Sequence, residues 1–326
     1  MNMSSAEHSV DSEHLLSFCK AAAESLRLDI LRMLSVESFG VMELCHIFDT
    51  AQPGMSHHLK ILTNACLLQT RREGNSIYYR RAIISADDSI RHLVSSLFDS
   101  VDRITISPEL MKRRDQVHKD RAQHAKAFFE KNADRLKENQ DLIAEFSHYA
   151  GCVTDLLSNE DLPGDATVIE VGPGESDLIE VLHKRYGSII AIDNVQEMLN
   201  KSQARSNFKS LGGIEFLLGE LSDFESTHKA DLIVLNMVLH HLPSPAQVFK
   251  SAHQMLNPGG RLLIADLCSH DQDWTQEICG DLWLGFDPDE LDKWADDAEL
   301  KKGQSVYLGL RNGFQIQVRL YQQTTT

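Results

Sequence analysis

At 326 residues the chain is longer than one hydrophobic core usually supports, so two domains with a connector between them are expected. An apolar fraction of 42% beside 25% charged residues is that of an ordinary globular protein, and no apolar run approaches the roughly 20 residues of a membrane helix. The formal net charge of −16 sets the chain as a whole against a polyanionic partner, so contact with nucleic acid would have to come from local positive charge.

The opening residues have neither the basic start nor the apolar stretch of a secretory signal. Residues 1–11 are expected as a disordered lead, on a cytoplasmic protein. Cys19, Cys45, Cys66, Cys152, Cys268 and Cys279 lie far apart without Cys-x-x-Cys pairing, which predicts reduced, mostly buried thiols and no disulfide framework.

Cys19, Ala22, Ala23, Leu26, Ile30, Met33 and Leu34 recur at three- and four-residue steps and predict one stripe of a helix. A short helix follows over Val41 to Phe48. After a Gln52-Pro53-Gly54 break comes a third, Met55 to Ala65, with Leu59, Ile61 and Leu62 available to the core. Three helices with short turns form a helix-turn-helix. Leu67 to Arg72 and Ser76 to Arg80, around Glu73-Gly74-Asn75, predict the two strands of a β-wing. Charge is distributed accordingly: from Ala51 to Arg81 there are Lys60, Arg71, Arg72, Arg80 and Arg81 against Glu73 alone, whereas Asp271 to Glu299 is crowded with carboxylates.

The segments Arg27-Leu28-Asp29-Ile30-Leu31, Gln52 to Leu62 and Arg71 to Tyr79, in that order, resemble the arsenic-repressor family of winged-helix regulators over residues 12–105. The resemblance implies that the third helix enters the major groove of double-stranded DNA. Gln52, Ser56, His57 and Lys60 would then touch bases or phosphates, and Arg71, Arg72 and Asn75 would reach the backbone or minor groove from the wing. It also implies a homodimer on an inverted-repeat operator. For the histidines and wing arginines, a merely solvated surface is the alternative. Many relatives bind metal through a Cys-x-Cys pair after Glu-Leu; here the stretch is Glu43-Leu44-Cys45-His46-Ile47, so Ile47 removes the second thiolate and no metal site is expected.

Residues 106–157 contain almost no glycine or proline and predict a helical connector, with Phe128-Phe129 and a stripe of Leu142, Phe146, Tyr149, Val153 and Leu156. Its second part is expected either to lie over the next domain or to be a solvated link.

In residues 158–326, Thr167 to Val171 is an apolar strand running into Gly172-Pro173-Gly174-Glu175-Ser176. Further strands are predicted at Ser188 to Ile192, Ile214 to Leu218, Asp231 to Leu235 and Arg261 to Ala265, the last after an Asn257-Pro258-Gly259-Gly260 turn. Continuous apolar strands alternating with helices predict a parallel sheet covered on both faces, with ligands at the carboxyl ends of its strands. Glycines after the first strand and Asp193 about 20 residues later suit a dinucleotide or S-adenosylmethionine (SAM) equally well.

Val168-x-Glu170-x-Gly172-x-Gly174, the segment Asn236 to Pro243 and Asn-Pro-Gly-Gly before the last strand together resemble class I methyltransferases, as does a tail hairpin around Arg311-Asn312-Gly313. The resemblance implies SAM or S-adenosylhomocysteine (SAH) as cofactor. Gly172, Pro173 and Gly174 would hold the methionine part, Glu170 its ammonium, directly or through water, and Asp193, followed by Asn194, the ribose. Glu220 and Leu221 would sit beside the adenine, with Met198, Asn236 and Val238 lining the pocket. Ser176 departs from the family's third glycine.

The fold class expected is therefore α/β plus α+β: an N-terminal winged helix-turn-helix, a helical connector, and a C-terminal Rossmann-like class I methyltransferase fold ending in an antiparallel hairpin. Two functions remain. One is a transcriptional regulator, acting as a repressor, that takes SAM or SAH as its signal. The other is an active SAM-dependent methyltransferase of a small molecule with a DNA-binding appendage, for which His240, His241, Asp266, His270 and Trp274 are candidates without a diagnostic arrangement. Arsenite methyltransferases carry a cysteine after the asparagine that ends the fourth strand; Met237 stands there instead.

Overall fold

The structure, a computed structural model, describes residues 12–84 and 88–324; the lead expected over residues 1–11 lies outside the described residues. The chain divides into two compact units, Met1–His118 and Lys119–Thr326.

In the first unit the predicted single helix is two, α1 (Ser12–Ala22) and α2 (Ser25–Met33). The break has a local cause. Glu24 accepts from the Arg27 backbone N–H at 3.0 Å and caps α2. Buried Arg27 donates through Nε to the Ala21 carbonyl at 2.7 Å and through Nη2 to the Lys20 carbonyl at 2.9 Å, satisfying the end of α1. Cys19 is consequently exposed, as is Cys66. Cys45 and Cys152 are half-buried and only Cys268 and Cys279 are buried, so the thiols are not mostly buried as expected, although all six are free.

α3 (Val41–Phe48) buries Leu44 and Ile47. α4 runs Gln52–Asn64, three residues earlier than predicted, because Pro53 sits in its first turn, where a missing N–H leaves nothing unsatisfied. Pro53-Gly54 therefore starts the helix instead of separating it from its predecessor. Met55, Leu59 and Leu62 face the core. With β1 at Phe39–Gly40, strands β2 (Leu68–Glu73) and β3 (Ser76–Arg81) form an antiparallel sheet of order β1-β3-β2, and Glu73 pairs with Ser76 around a turn where Gly74 has φ +58°. α5 (Arg91–Val101) and the first part of α6 (Pro108–Asn132) add Val94, Val101 and Val117 to the same core.

The second unit takes up the chain within α6 and continues through α7 (Leu136–Asp141) and α8 (Phe146–Ser158). Tyr149, Val153 and Leu156 of the predicted stripe are buried, whereas Leu142 is 59% exposed. The sheet contains β4 (Thr167–Val171), β5 (Ser188–Asp193), β6 (Ile214–Leu218), β7 (Ala230–Asn236), β8 (Leu256–Leu267), β9 (Leu300–Gly309) and β10 (Gln315–Gln323) in the order β6-β5-β4-β7-β8-β10-β9. The first five pair in parallel and β10 is antiparallel to both its neighbours. β8 begins earlier than predicted. The Asn257-Pro258-Gly259-Gly260 stretch lies inside it, opposite a register shift between Ala230 and Leu232, with Gly259 at φ +78°. Helices α9 (Leu178–Arg185), α10 (Gln196–Phe208) and α11 (Pro245–Met255) are the crossovers. Among the described residues no helix is long and apolar enough to cross a membrane.

Candidate ligand cavity and DNA-reading surface

The carboxyl ends of β4, β5 and β7, with the loop after β6, open onto a cavity of about 240 Å³ in the second unit. The reversal of strand order beside β4 creates the crevice. Ten of the eleven residues proposed from the sequence line it: Gly172, Pro173 and Gly174 after β4; Asp193, Asn194 and Met198 after β5; Glu220 and Leu221 after β6; Asn236 and Val238 after β7. Glu170 is not on the wall. It is 1% exposed within β4, and neither carboxylate oxygen has a hydrogen-bond partner.

The glycines are required by shape. Gly172 has φ +62°, and a Cβ there would stand 2.7 Å from Val238 Cγ2; Gly174 has φ +48°. Ser176, the departure from the family pattern, fits without strain: its Oγ accepts from the Leu178 N–H at 3.1 Å at the start of α9 and from Asn236 Nδ2 at 3.2 Å. One hydroxyl thereby ties the β4 loop to the end of β7. Asp193 Oδ1 accepts from the Val195 N–H at 2.9 Å, which fixes the carboxylate at the cavity wall.

Burial dominates the electrostatics. It pushes Glu170 up to about 8. Asp193 rises to about 6, burial outweighing the backbone N–H groups of Val195 and Asn194. On the far wall, His240 Nδ1 lies 2.7 Å from Asp266 Oδ1, and the Asp266 and Asp281 charges overcome burial to hold His240 at about 9. Burial, then the His240 charge, holds His241 well below its ordinary value.

The predicted connector supplies cavity wall that sequence reasoning did not assign. Phe129 of α6, Gln140 of α7, and Phe146 and Tyr149 of α8 all line it. Phe129 meets the His241 ring edge-on at 4.9 Å and packs with Leu136, Val195 and Met198. The Phe128-Phe129 pair in an otherwise charged helix was the available signal; nothing local says which surface it covers.

In the first unit Gln52, Ser56, His57 and Lys60 are all exposed on α4, a spacing that sets them along one face. Asn75 is exposed at the wing tip, and Arg72 is exposed with Nε donating to the Gly74 carbonyl at 2.8 Å. Arg71 is turned inward in an ion pair with buried Glu73, and Arg81 pairs with Asp102 while donating to the Leu31 carbonyl. Part of the basic count is thus internal. Cys45 is half-buried on α3 and Ile47 fully buried.

A winged helix and a Rossmann-like sheet with a glycine-lined crevice define a DNA-binding protein that carries a class I methyltransferase domain. Comparisons agree. Residues 163–304 match the family described as "Methyltransferase domain" and residues 24–70 match "Bacterial regulatory protein, arsR family". The arsenical resistance operon repressor of Staphylococcus aureus is 35% identical over 81 residues, which cover 25% of this chain and 78% of that protein. The chain belongs to the arsR family of bacterial regulatory proteins. The arsenite methyltransferase of Halobacterium salinarum is 25% identical over 143 residues, 41% of this chain and 36% of that protein, so the chain spans about a third of that relative. The chain described as "the putative methyltransferase" in its complex with the Haloferax volcanii Trm112 methyltransferase activator superposes at TM-score 0.50 and 15% identity over 62% of this chain and 98% of its own; it speaks to the fold alone.

Proposed function

We propose that the chain is a transcriptional regulator, acting as a repressor and as a homodimer on an inverted-repeat operator, whose methyltransferase domain binds SAM or SAH as its signal. One observation carries this reading. α6 contributes Val117 to the core of the DNA-binding unit and, three turns later, Phe129 to the wall of the cavity, so a ligand that moves Phe129 acts on a helix rooted in the winged helix. A signal of this kind must bind the DNA-competent and incompetent states unequally.

The cavity suits the ligand. The Glu170 carboxylate, buried just before the glycine loop with no hydrogen-bond partner on either oxygen, is an acceptor that an ammonium group would satisfy through one water. Gly172 and Gly174 bring backbone close to the methionine part, Asp193 takes the ribose diol, and Glu220 with Leu221 borders the adenine. When bound, SAM supplies a methyl group on a sulfonium, and SAH is the same frame without it.

On the DNA side, Gln52, Ser56, His57 and Lys60 make the major-groove contacts, and Arg72 and Asn75 the wing contacts; Arg71 does so only by giving up Glu73. The second reading, methyl transfer to a small molecule, is favoured by a cavity wall that continues past the SAM-contacting residues to Gln140 and Phe146. Nothing gathers thiols for arsenic: among the described residues no cluster of three metal-ligating groups includes a cysteine.

Isothermal titration with SAM and with SAH, followed by operator binding with and without each, tests the proposal. A change in DNA affinity with either ligand supports it. Unchanged DNA affinity together with accumulation of a methylated product overturns it in favour of the enzyme.

A further inference from the structure

His240, His241 and Asp281 are buried together in the second unit, each presenting a ligand atom within 4.8 Å of the others. The two histidines occupy the single turn Leu239–His241 just beyond β7, and Asp281 reaches them from the segment before Trp283. Asp281 is 4% exposed; no donor meets its oxygens in hydrogen-bond geometry, and the nearby Thr275 hydroxyl donates to the Gln272 carbonyl at 3.2 Å instead. Its Oδ1 lies 3.6 Å from His240 Nε2 and 3.6 Å from His241 Nδ1. That is too long for hydrogen bonds. It is close to the roughly 3.3–3.4 Å that separates neighbouring ligand atoms around a tetrahedral ion with bonds of about 2.0–2.1 Å.

The surroundings orient the same three atoms. Asp266 accepts from the Leu239 N–H at 2.9 Å and the Leu267 N–H at 2.7 Å, and lies 2.7 Å from His240 Nδ1. This arrangement directs His240 Nε2 toward Asp281, as carboxylates behind metal-bound histidines do. His241 Nε2 lies 3.5 Å from the Gln140 side-chain amide and Nδ1 lies 3.3 Å from the Gly280 carbonyl; binding an ion through Nδ1 requires that contact to be given up and the ring proton to sit on Nε2, where the Gln140 amide oxygen accepts it once the amide turns over.

We infer that His240, His241 and Asp281 form a binding site for a first-row divalent cation of the zinc type. Two imidazoles and one carboxylate suit Zn2+ or Fe2+ better than Mg2+ or Ca2+, which prefer an all-oxygen shell. Three protein ligands leave a fourth position for water, and His240 and His241 also line the ligand cavity. The site is separate from the cysteine-bearing helix α3, and it holds whichever molecule fills the cavity.

The test uses the full chain, stripped with a chelator and titrated with Zn2+ against a chromophoric competitor, and separately with Co2+. One equivalent is expected, with a Co2+ visible spectrum of nitrogen and oxygen donors and no thiolate charge-transfer band. Asp281→Asn, close in shape to the carboxylate, should weaken Zn2+ by at least about a hundredfold, and Asp266→Asn by about tenfold. Absence of one-equivalent binding to the unmodified chain overturns the assignment whether or not the variants fold. So does a Co2+ thiolate band, or unchanged affinity in a folded Asp281→Asn protein.

Discussion

Gly172 and Val238 stand so close that a Cβ on the glycine would lie 2.7 Å from the valine Cγ2, with the glycine at φ +62°. Both constraints act on the loop that follows β4. Gly172→Ala is expected to lower stability by about 1–3 kcal/mol and to weaken SAM or SAH by at least about tenfold, because the loop must shift to fit a methyl group. Calorimetric titration and a thermal melt check it; unchanged affinity would remove this loop from the binding surface.

Glu170 makes ligand binding and stability depend on pH. Its carboxyl, held at about 8 against an ordinary 4.5, is neutral in the free protein at pH 7. An ammonium ligand favours the ionised form, so binding near pH 7 should release about one proton, seen as a dependence of the apparent enthalpy on buffer. For the free protein the sign runs the other way: Glu170 contributes stability fully below pH 4.5, and that contribution is lost as pH rises through about 8. The loss is at most about 5 kcal/mol. Glu170→Gln should abolish the proton release and flatten the fall in melting temperature between pH 6 and 8. Proton release that survives in the variant must come from another group.

The two wing arginines should part company. Arg72→Ala and Lys60→Ala are each expected to reduce the slope of log affinity against log salt by about 0.9, with folding intact. Arg71→Ala instead removes an ion-pair partner of Glu73, which is 3% exposed, and should destabilise the first unit by roughly 3 kcal/mol. Fluorescence anisotropy across a salt series, with melts of each variant, separates the two effects. Equal behaviour of Arg71 and Arg72 would contradict the packing.

Phe129→Ala tests whether α6 is wall or link. The ring packs on His241 and beside Met198, so its loss should weaken SAM or SAH by about tenfold or more and cost about 2 kcal/mol of stability. DNA affinity without ligand should stay as it was. A solvated linking helix would show neither loss.

Much of this molecule is legible locally. The boundaries of α3 and β4 coincide with the apolar periodicity, and the glycine loop, Asp193 and the Asn236 segment mark the cavity because each performs its role through backbone shape or strand-end position. Where local reading went astray, a side chain from elsewhere in the fold decided. Arg27 splits the first helix by reaching back to the carbonyls of Lys20 and Ala21. Glu73 withdraws Arg71 from the wing surface. Pro53 reads as a break but fits a first turn.

The class of each half, winged helix and class I methyltransferase fold, follows from motifs whose spacing along the chain is their spacing in space. The cavity's far wall and the His240–His241–Asp281 cluster do not, since their members lie up to 112 positions apart, from Phe129 to His241, and 40 apart, from His241 to Asp281. Only packing of the helices on the sheet brings such residues within a few ångströms. Burial then changes their chemistry: Glu170 is one acid among many in the sequence, and its carboxyl stands near 8 because the folded strands exclude water from it.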